Sequence, residues 1–424
     1  MNQYNYERKR WWIAVAAVAM QLCFGTVYAW SIFKKPMMAA NGWSETQTQT
    51  AFMIYCTVFP LCVAIGGTLI DRIRPRIVGL AGGLMFGTGI ILAGFANHLE
   101  NLFLLYIVYG IIGAVGGGLG YVTPVATLIR WFPDKRGLVT GLAVMGYGAG
   151  SFIMGTFAPR IIINHGIATT FYLWGGLSIF IVLIAVMALE NPPTEWIPSG
   201  FQPATGSISN VANSFTFTQA IKAPQWWLLW LIFLLTTSAG IGLISQLAPI
   251  AQEKMIAARA GAITAQQIQA IVIVSGTVVA AGAIFNGIGR LAWASLSDII
   301  GRKSVFLLLF GTQAIGYMLL PQVTHILIFS VMACYLLACY GGILASMPAF
   351  AADDFGPAHI GKIYGMLFTA CAVGGFFGPF LLAYIKEMTD SFTIALYIES
   401  GILMAGLLLT IVYRKPQLNM RSLS

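Results

Sequence analysis

Charge is what this sequence has least of. Only 9% of its 424 residues are Asp, Glu, Lys or Arg, against roughly 25% in soluble domains. That scarcity excludes a water-soluble globular fold, because too few ionic side chains remain to cover its surface. Histidine is scarce as well: His98, His165, His325 and His359 all fall between or at the ends of apolar runs. No nucleophile, base and metal constellation can be built from them, so an enzyme is not expected. The six cysteines lie inside apolar runs without metal-ligand spacing. They read as small core residues, and neither a metal nor a cofactor is expected. Glycine-rich runs at 116–120 and 146–150 lack the preceding strand and the Gly-Lys-Ser/Thr ending of a phosphate loop. They read as helix-packing motifs. The net charge of +9 is scattered through short connections rather than gathered on one wet face, which argues against nucleic acid as a partner.

What the sequence has is hydrophobic length. Hydrophobic residues make up 58% of the chain, in runs of about 20 that suit spanning helices rather than the ~10-residue alternating strands of a barrel. Twelve spans are read, roughly 11–33, 47–70, 77–97, 101–131, 138–162, 167–189, 224–250, 267–297, 304–324, 326–352, 363–386 and 391–413. The first follows Arg8-Lys9-Arg10 but is too long for a signal-peptide core and lacks a small-residue cleavage site, so it is expected to be retained. Lys and Arg are more than twice as frequent in the connections on the N-terminal side of the membrane as in those opposite. The bias places both termini in the cytoplasm. The longest polar stretch divides the chain into a tail (1–10), a six-helix bundle (11–189), a cytoplasmic linker (190–222), a second bundle (223–413) and a tail (414–424).

Inside the eighth span stands one charge, Arg290. Asp298 marks the inner edge, and eight residues at about 1.5 Å each put Arg290 roughly 12 Å deep. A charge at that depth costs at least ~2.5 kcal/mol, so it faces a polar cavity or a partner. Two readings are open: a structural arginine bonded to carbonyls of a neighbouring helix, or a receptor for an anion. Asn286 lies one turn earlier on the same face, where its amide is placed to donate to a carboxylate oxygen. Tyr121, nine residues before Arg130, lies about 14 Å in. Tyr340 lies halfway along its span. Tyr28 and Trp30 lie nearer the outside. In the last span, Glu399 is the one clear intramembrane acid, read either as a lipid-side residue that snorkels or bonds to a neighbour, or as a proton site.

The halves resemble each other. Gly67-Thr-Leu69-Ile-Asp71-Arg72-Ile-Arg74-Pro-Arg76 follows span two, and Ala294-Ser-Leu296-Ser-Asp298-Ile-Ile-Gly301-Arg302-Lys303 follows span eight, 227 residues later. Two copies of one loop at matching positions imply duplication. This loop is similar to the signature loop of the major facilitator superfamily. The resemblance implies an all-α membrane protein with twelve transmembrane helices in two pseudo-symmetric six-helix bundles. It implies gating for Asp71, Arg72, Asp298, Arg302 and Lys303, and substrate near the midplane between the halves.

A narrower likeness is carried by Arg130-Trp-Phe-Pro-Asp134-Lys135-Arg136-Gly137, by Gly146-Tyr147-Gly148, by Phe285-Asn286-Gly-x-x-Arg290 and by Tyr364-Gly365. These runs resemble the oxalate/formate antiporter family, relatives of the monocarboxylate transporters. By that likeness Arg290 binds substrate carboxylate, and Tyr28, Tyr121 and Tyr340 line the cavity. The oxalate exchanger's second cation, a lysine, falls at Cys371 here. A dianion would keep one buried charge unmatched. The expectation is a secondary transporter of small monocarboxylates, formate to lactate or pyruvate, working by alternating access. An oxalate/formate-type dicarboxylate exchanger and a non-transporting carboxylate sensor are the alternatives. Proton symport and anion exchange both stay open, with Glu399 the proton-coupling candidate. The expected setting is a bacterial inner membrane, with the chain working as a monomer among lipid.

Overall fold

The computed structural model of the chain describes residues 3–70, 72–193, 198, 214–259, 262–356 and 359–416. Regular structure in the described residues is helical throughout. A bilayer offers the backbone no water, so each apolar run satisfies its own amides and carbonyls as a helix. Eleven described helices are long and apolar enough to cross a membrane. They comprise α1 (Tyr6–Asn41), α2 (Glu45–Ile70), α3 (Pro75–His98) and α4 (Leu102–Trp131), and then, after Leu138–Ala188, α7 (Pro224–Ala257) and α8 (Ala265–Ile300). The last four are α9 (Arg302–Gln322), α10 (Ile326–Phe355), α11 (Ile360–Thr389) and α12 (Thr393–Val412).

The helix between α4 and α7 counts twice. Leu138–Ala188 holds 51 residues, about 76 Å of helix against a hydrocarbon core of ~30 Å. It turns back at Gly166, whose φ of 83° and ψ of 171° suit a residue without Cβ. The two crossings are α5 (136–165) and α6 (167–188), and the twelve expected spans are all present. The helical run of α1 begins at Gln3, inside the segment read from sequence as a tail.

Packing inside the halves repeats. In the first, α1 packs on α4, α5 and α6, α2 on α4, and α3 on α4 and α6. In the second, α7 packs on α10, α11 and α12, α8 on α10, and α9 on α10 and α12. Adding six to each label of the first set yields the second. Between the halves, α2 packs on α11 and α5 on α8, and the same operation exchanges these two pairs. The glycine runs act as expected of packing motifs. A Cβ on Gly116 would stand 2.2 Å from Phe86 N, and one on Gly150 2.4 Å from the Leu22 carbonyl oxygen.

One polar device also recurs at the 227-residue offset. Arg76, at the start of α3, donates to the carbonyls of Leu189 (2.7 Å) and Met187 (2.8 Å) at the end of α6. Lys303, at the start of α9, donates to those of Ile411 (2.9 Å) and Tyr413 (2.8 Å) at the end of α12. Each cation satisfies carbonyls that a helix leaves unbonded at its C-terminus. Within the linker interval, Thr216 caps a short helix, Phe217–Lys222, through a reciprocal capping box with Gln219.

Candidate functional site

Arg290 is 3% exposed. Its Nε donates to Asn286 Oδ1 at 3.3 Å, and Asn286 Nδ2 donates to the Leu337 carbonyl on α10 at 2.9 Å. Asn286 therefore ties the arginine to α10. It does not line the main cavity. The guanidinium carbon stands 5.9 Å from the centre of the Tyr147 ring, within cation–π range. Arg290 Nη2 has no hydrogen-bond partner, and none of the ion pairs among the described residues includes this arginine. The close fit needs two glycines. A Cβ on Gly148 of α5 would stand 2.6 Å from Asn286 Oδ1 and 2.8 Å from Arg290 Nε, and one on Gly341 of α10 2.3 Å from the Asn286 carbonyl.

Arg290 lines a cavity of about 890 Å³ between the halves. Tyr28, Tyr121 and Tyr340 line it too, so the sequence-predicted aromatics meet the arginine in one chamber. Tyr28 sits in a 3₁₀ turn, Thr26–Ala29, that interrupts α1; the Trp174 indole holds this turn by donating to Thr26 Oγ1 at 2.7 Å. Cys371 is also in the wall, with Thr237 Oγ1 3.6 Å from its sulfur. At the level of the site, then, a neutral thiol faces the chamber where the resemblance would put a second cation.

Sequence reasoning missed Tyr147. Its ring is the hub of the aromatic wall, with Tyr28, Tyr121 and Phe59 at centroid distances of 5.3, 5.1 and 5.6 Å. The glycines that bracket it were the available signal, since residues flanked by such small neighbours sit where helices approach most closely.

The cavity wall extends toward one end of the helices. Gly67, Ile129, Leu138, Gly361, Asp298 and Arg302 surround its mouth. Here Arg302 pairs with Asp298, donates to Ser297 and meets Asp353 Oδ2 at 3.0 Å. Like those of Lys303, these contacts stay within the second half. Arg72 is exposed, and Asp71 lies outside the described residues.

The opposite face is closed by contacts between halves. The Lys34 ammonium pairs with Glu45 of α2 and donates to Gln246 Oε1 of α7 at 2.6 Å. The Thr46 amide donates to Glu387 Oε2 of α11 at 2.9 Å. Lys34 falls just beyond the expected first span, 11–33, yet α1 runs on to Asn41 and buries it completely. For Glu399 the lipid-facing, snorkelling form is corrected, while a bond to a neighbouring helix is what the structure has. This acid is 0% exposed, packed against α7, where Ser238 Oγ lies 3.4 Å from its Oε1. It does not line the cavity.

Comparison with known proteins agrees with this architecture. The family model described as Major Facilitator Superfamily matches residues 13–379, and again residues 255–422. The chain is 29% identical over 381 residues to the oxalate:formate antiporter of Oxalobacter formigenes, covering 89% of this chain and 85% of that one. It is 24% identical over 409 residues to monocarboxylate transporter 13 of Rattus norvegicus, covering 93% and 87%. Among solved structures it is similar to a bacterial homologue of the human lysosomal transporter Spinster in an inward-facing and unoccupied conformation. That likeness has a TM-score of 0.67 at 15% identity, over 96% of this chain and 95% of that one. Duplicated halves, a central chamber between them and the family match over most of the sequence place this multi-pass membrane protein in the Major Facilitator Superfamily of transporters.

Proposed function

We propose that the chain carries small monocarboxylates, in the range from formate to lactate and pyruvate, by rocking 11–189 against 223–413 about the linker 190–222. The observation that carries this reading is Arg290: a buried cation in a cavity wall, with one nitrogen unbonded and no ion-pair partner among the described residues. Leaving such a charge unmatched is costly by several kcal/mol. A carboxylate accepting from the fork removes that cost and fixes the cargo's orientation. Tyr28, Tyr121, Tyr147 and Tyr340 then enclose its carbon skeleton. The names of two relatives, an oxalate:formate antiporter and a monocarboxylate transporter, support a carboxylate cargo.

With both termini in the cytoplasm, as the Lys and Arg bias requires, the mouth at Asp298 and Arg302 faces inward. One chain supplies both halves of the site, so the transport unit is a monomer. Because the empty site holds an unmatched charge, its return is slower than that of the loaded one. Exchange of one acid for another is therefore favoured, and net flux requires a co-transported proton. A second reading, dicarboxylate exchange, is favoured by the antiporter relative and opposed by Cys371.

Uptake of formate, lactate, pyruvate and oxalate into vesicles, with and without a pH gradient, tests the proposal. Uptake and counterflow of the monocarboxylates are expected. Uptake of oxalate alone would establish the second reading, and no uptake of any acid would end both.

A further inference from the structure

Glu399 has no place in the chamber wall, and its surroundings are poor in partners for an acid. From α7 it meets Ser238 Oγ, 3.4 Å from Oε1. Leu382 and Gly378 of α11 share with it the space beside Gly242, and α9 presents Tyr317. The Tyr317 hydroxyl is spent on the Ala239 carbonyl, at 2.7 Å. Glu399 Oε2 has no hydrogen-bond partner, and none of the ion pairs among the described residues includes this acid. A fully buried carboxylate with one hydroxyl beside it and no cation is costly, so the carboxyl holds a proton here.

Only the breadth of α7 separates this acid from the chamber. Thr237 and Ile241 of α7 line the chamber, whereas the residue after each, Ser238 and Gly242, lies against Glu399. A Cβ on Gly242 would stand 3.3 Å from Glu399 Oε1. The run Thr236-Thr237-Ser238 puts three successive hydroxyls round an otherwise apolar stretch of helix. All three residues are buried, and Thr236 Oγ1 has no hydrogen-bond partner. A hydroxyl both donates and accepts, so Ser238 and Thr237 form a path for a proton round α7 between the acid and chamber water. The helices that carry the two charges, α8 with Arg290 and α12 with Glu399, both pack on α7.

We infer that Glu399 is the proton-binding group of net transport, joined to the chamber through Ser238 and Thr237 and coupled to Arg290 by charge. With an anion on Arg290 and a proton on Glu399, the two sites together are neutral. With both empty, the guanidinium and the carboxylate again sum to zero. An anion without the proton leaves one negative charge over, and a proton without the anion leaves one positive. Unbalanced charge in a buried interior is costly, so the two half-loaded forms rock least. Anion binding also cancels the positive charge that steadies an ionised Glu399, which raises the acid's affinity for its proton. By linkage the proton raises the affinity for the anion equally. Loss of the anion to the cytoplasm then lets the proton leave by Ser238 and Thr237 to chamber water, one proton for each anion.

This inference rests on the carboxylate reading given above. Its test follows labelled formate, lactate and pyruvate in vesicles in two ways, each measured over protein-free vesicles. One is net uptake driven by an inward proton gradient; the other is counterflow at equal pH, in which the loaded carrier shuttles with its proton in place. Glu399→Gln fixes the neutral form, and should lower net uptake at least tenfold while counterflow stays within about threefold. Ser238→Ala interrupts the path, and should lower net uptake about fivefold with counterflow again kept. Equal loss of both activities marks a packing role and overturns the inference, as does proton-driven uptake that is unchanged in Glu399→Gln. Should Glu399→Gln fail to fold, Ser238→Ala alone decides. A wild-type protein that exchanges the acids but ignores the proton gradient overturns the inference and leaves the carboxylate reading standing. One that moves none of the three acids overturns both.

Discussion

At the 227-residue offset, Phe59 and Val63 of α2 stand where Asn286 and Arg290 stand in α8. All but Asn286 line the chamber, so one wall is aromatic and aliphatic where its counterpart carries the cation. At the same offset Arg76 and Lys303 do identical work, each holding the carbonyl end of the last helix of its half. Duplication has therefore kept the parts that build a half and let the parts that line the chamber diverge. With no acid of the first half paired to Arg290 among the described residues, that half can also move away without dragging a charge from its counter-charge.

The strongest test of that division is Arg290→Ala, expected to lower carboxylate uptake by at least a hundredfold with expression and melting temperature nearly unchanged. Its counterpart Val63→Ala should cost no more than about threefold. Collapse of the folded protein in Arg290→Ala would mean that the arginine is structural. Next in size is Cys371→Lys, which adds a cation to the same chamber. It should move the oxalate-to-formate uptake ratio at least tenfold toward oxalate, and an unchanged ratio would count against a site specified by charge number. Asn286→Leu frees Arg290 Nε from the acceptor that orients it. Loss of one hydrogen bond to a charged group is worth about 1.5–3 kcal/mol, so half-saturation should rise roughly tenfold while maximal rate changes less. The smallest effects belong to the matched pair. Arg76→Met and Lys303→Met should each lower stability by about 1 kcal/mol, seen as similar shifts in melting temperature, with substrate preference intact. Unequal shifts would show that the two caps are not equivalent.

The fold was legible because its signals are long and repeated. Twenty-residue apolar runs, a duplicated loop and one polar interval account for the helix count and the division into halves. Arg290 was legible because an isolated charge in such a run has few explanations. Lys34 was not, because a lysine after an apolar run is the ordinary mark of a helix end; only the packing of α2 and α7 shows that it has partners inside. Glu399 carries no sequence signal of which helix face points inward, and the structure turns it toward α7. Asn286 is close to the arginine as its spacing predicts, but its two polar atoms are engaged with Arg290 and Leu337 rather than lying in the chamber wall. Tyr147 stands within a recognisable motif and is still easy to pass over, since a tyrosine among glycines declares close packing without saying what it packs against.

The chamber's size has a consequence of its own. At about 30 Å³ per molecule, 890 Å³ holds roughly thirty waters, whereas an acid of one to three carbons displaces only a few. Shutting the wide end must therefore drive out most of that liquid on every turn. Raising the osmotic strength of the bathing medium is therefore expected to favour the shut chamber over the open one.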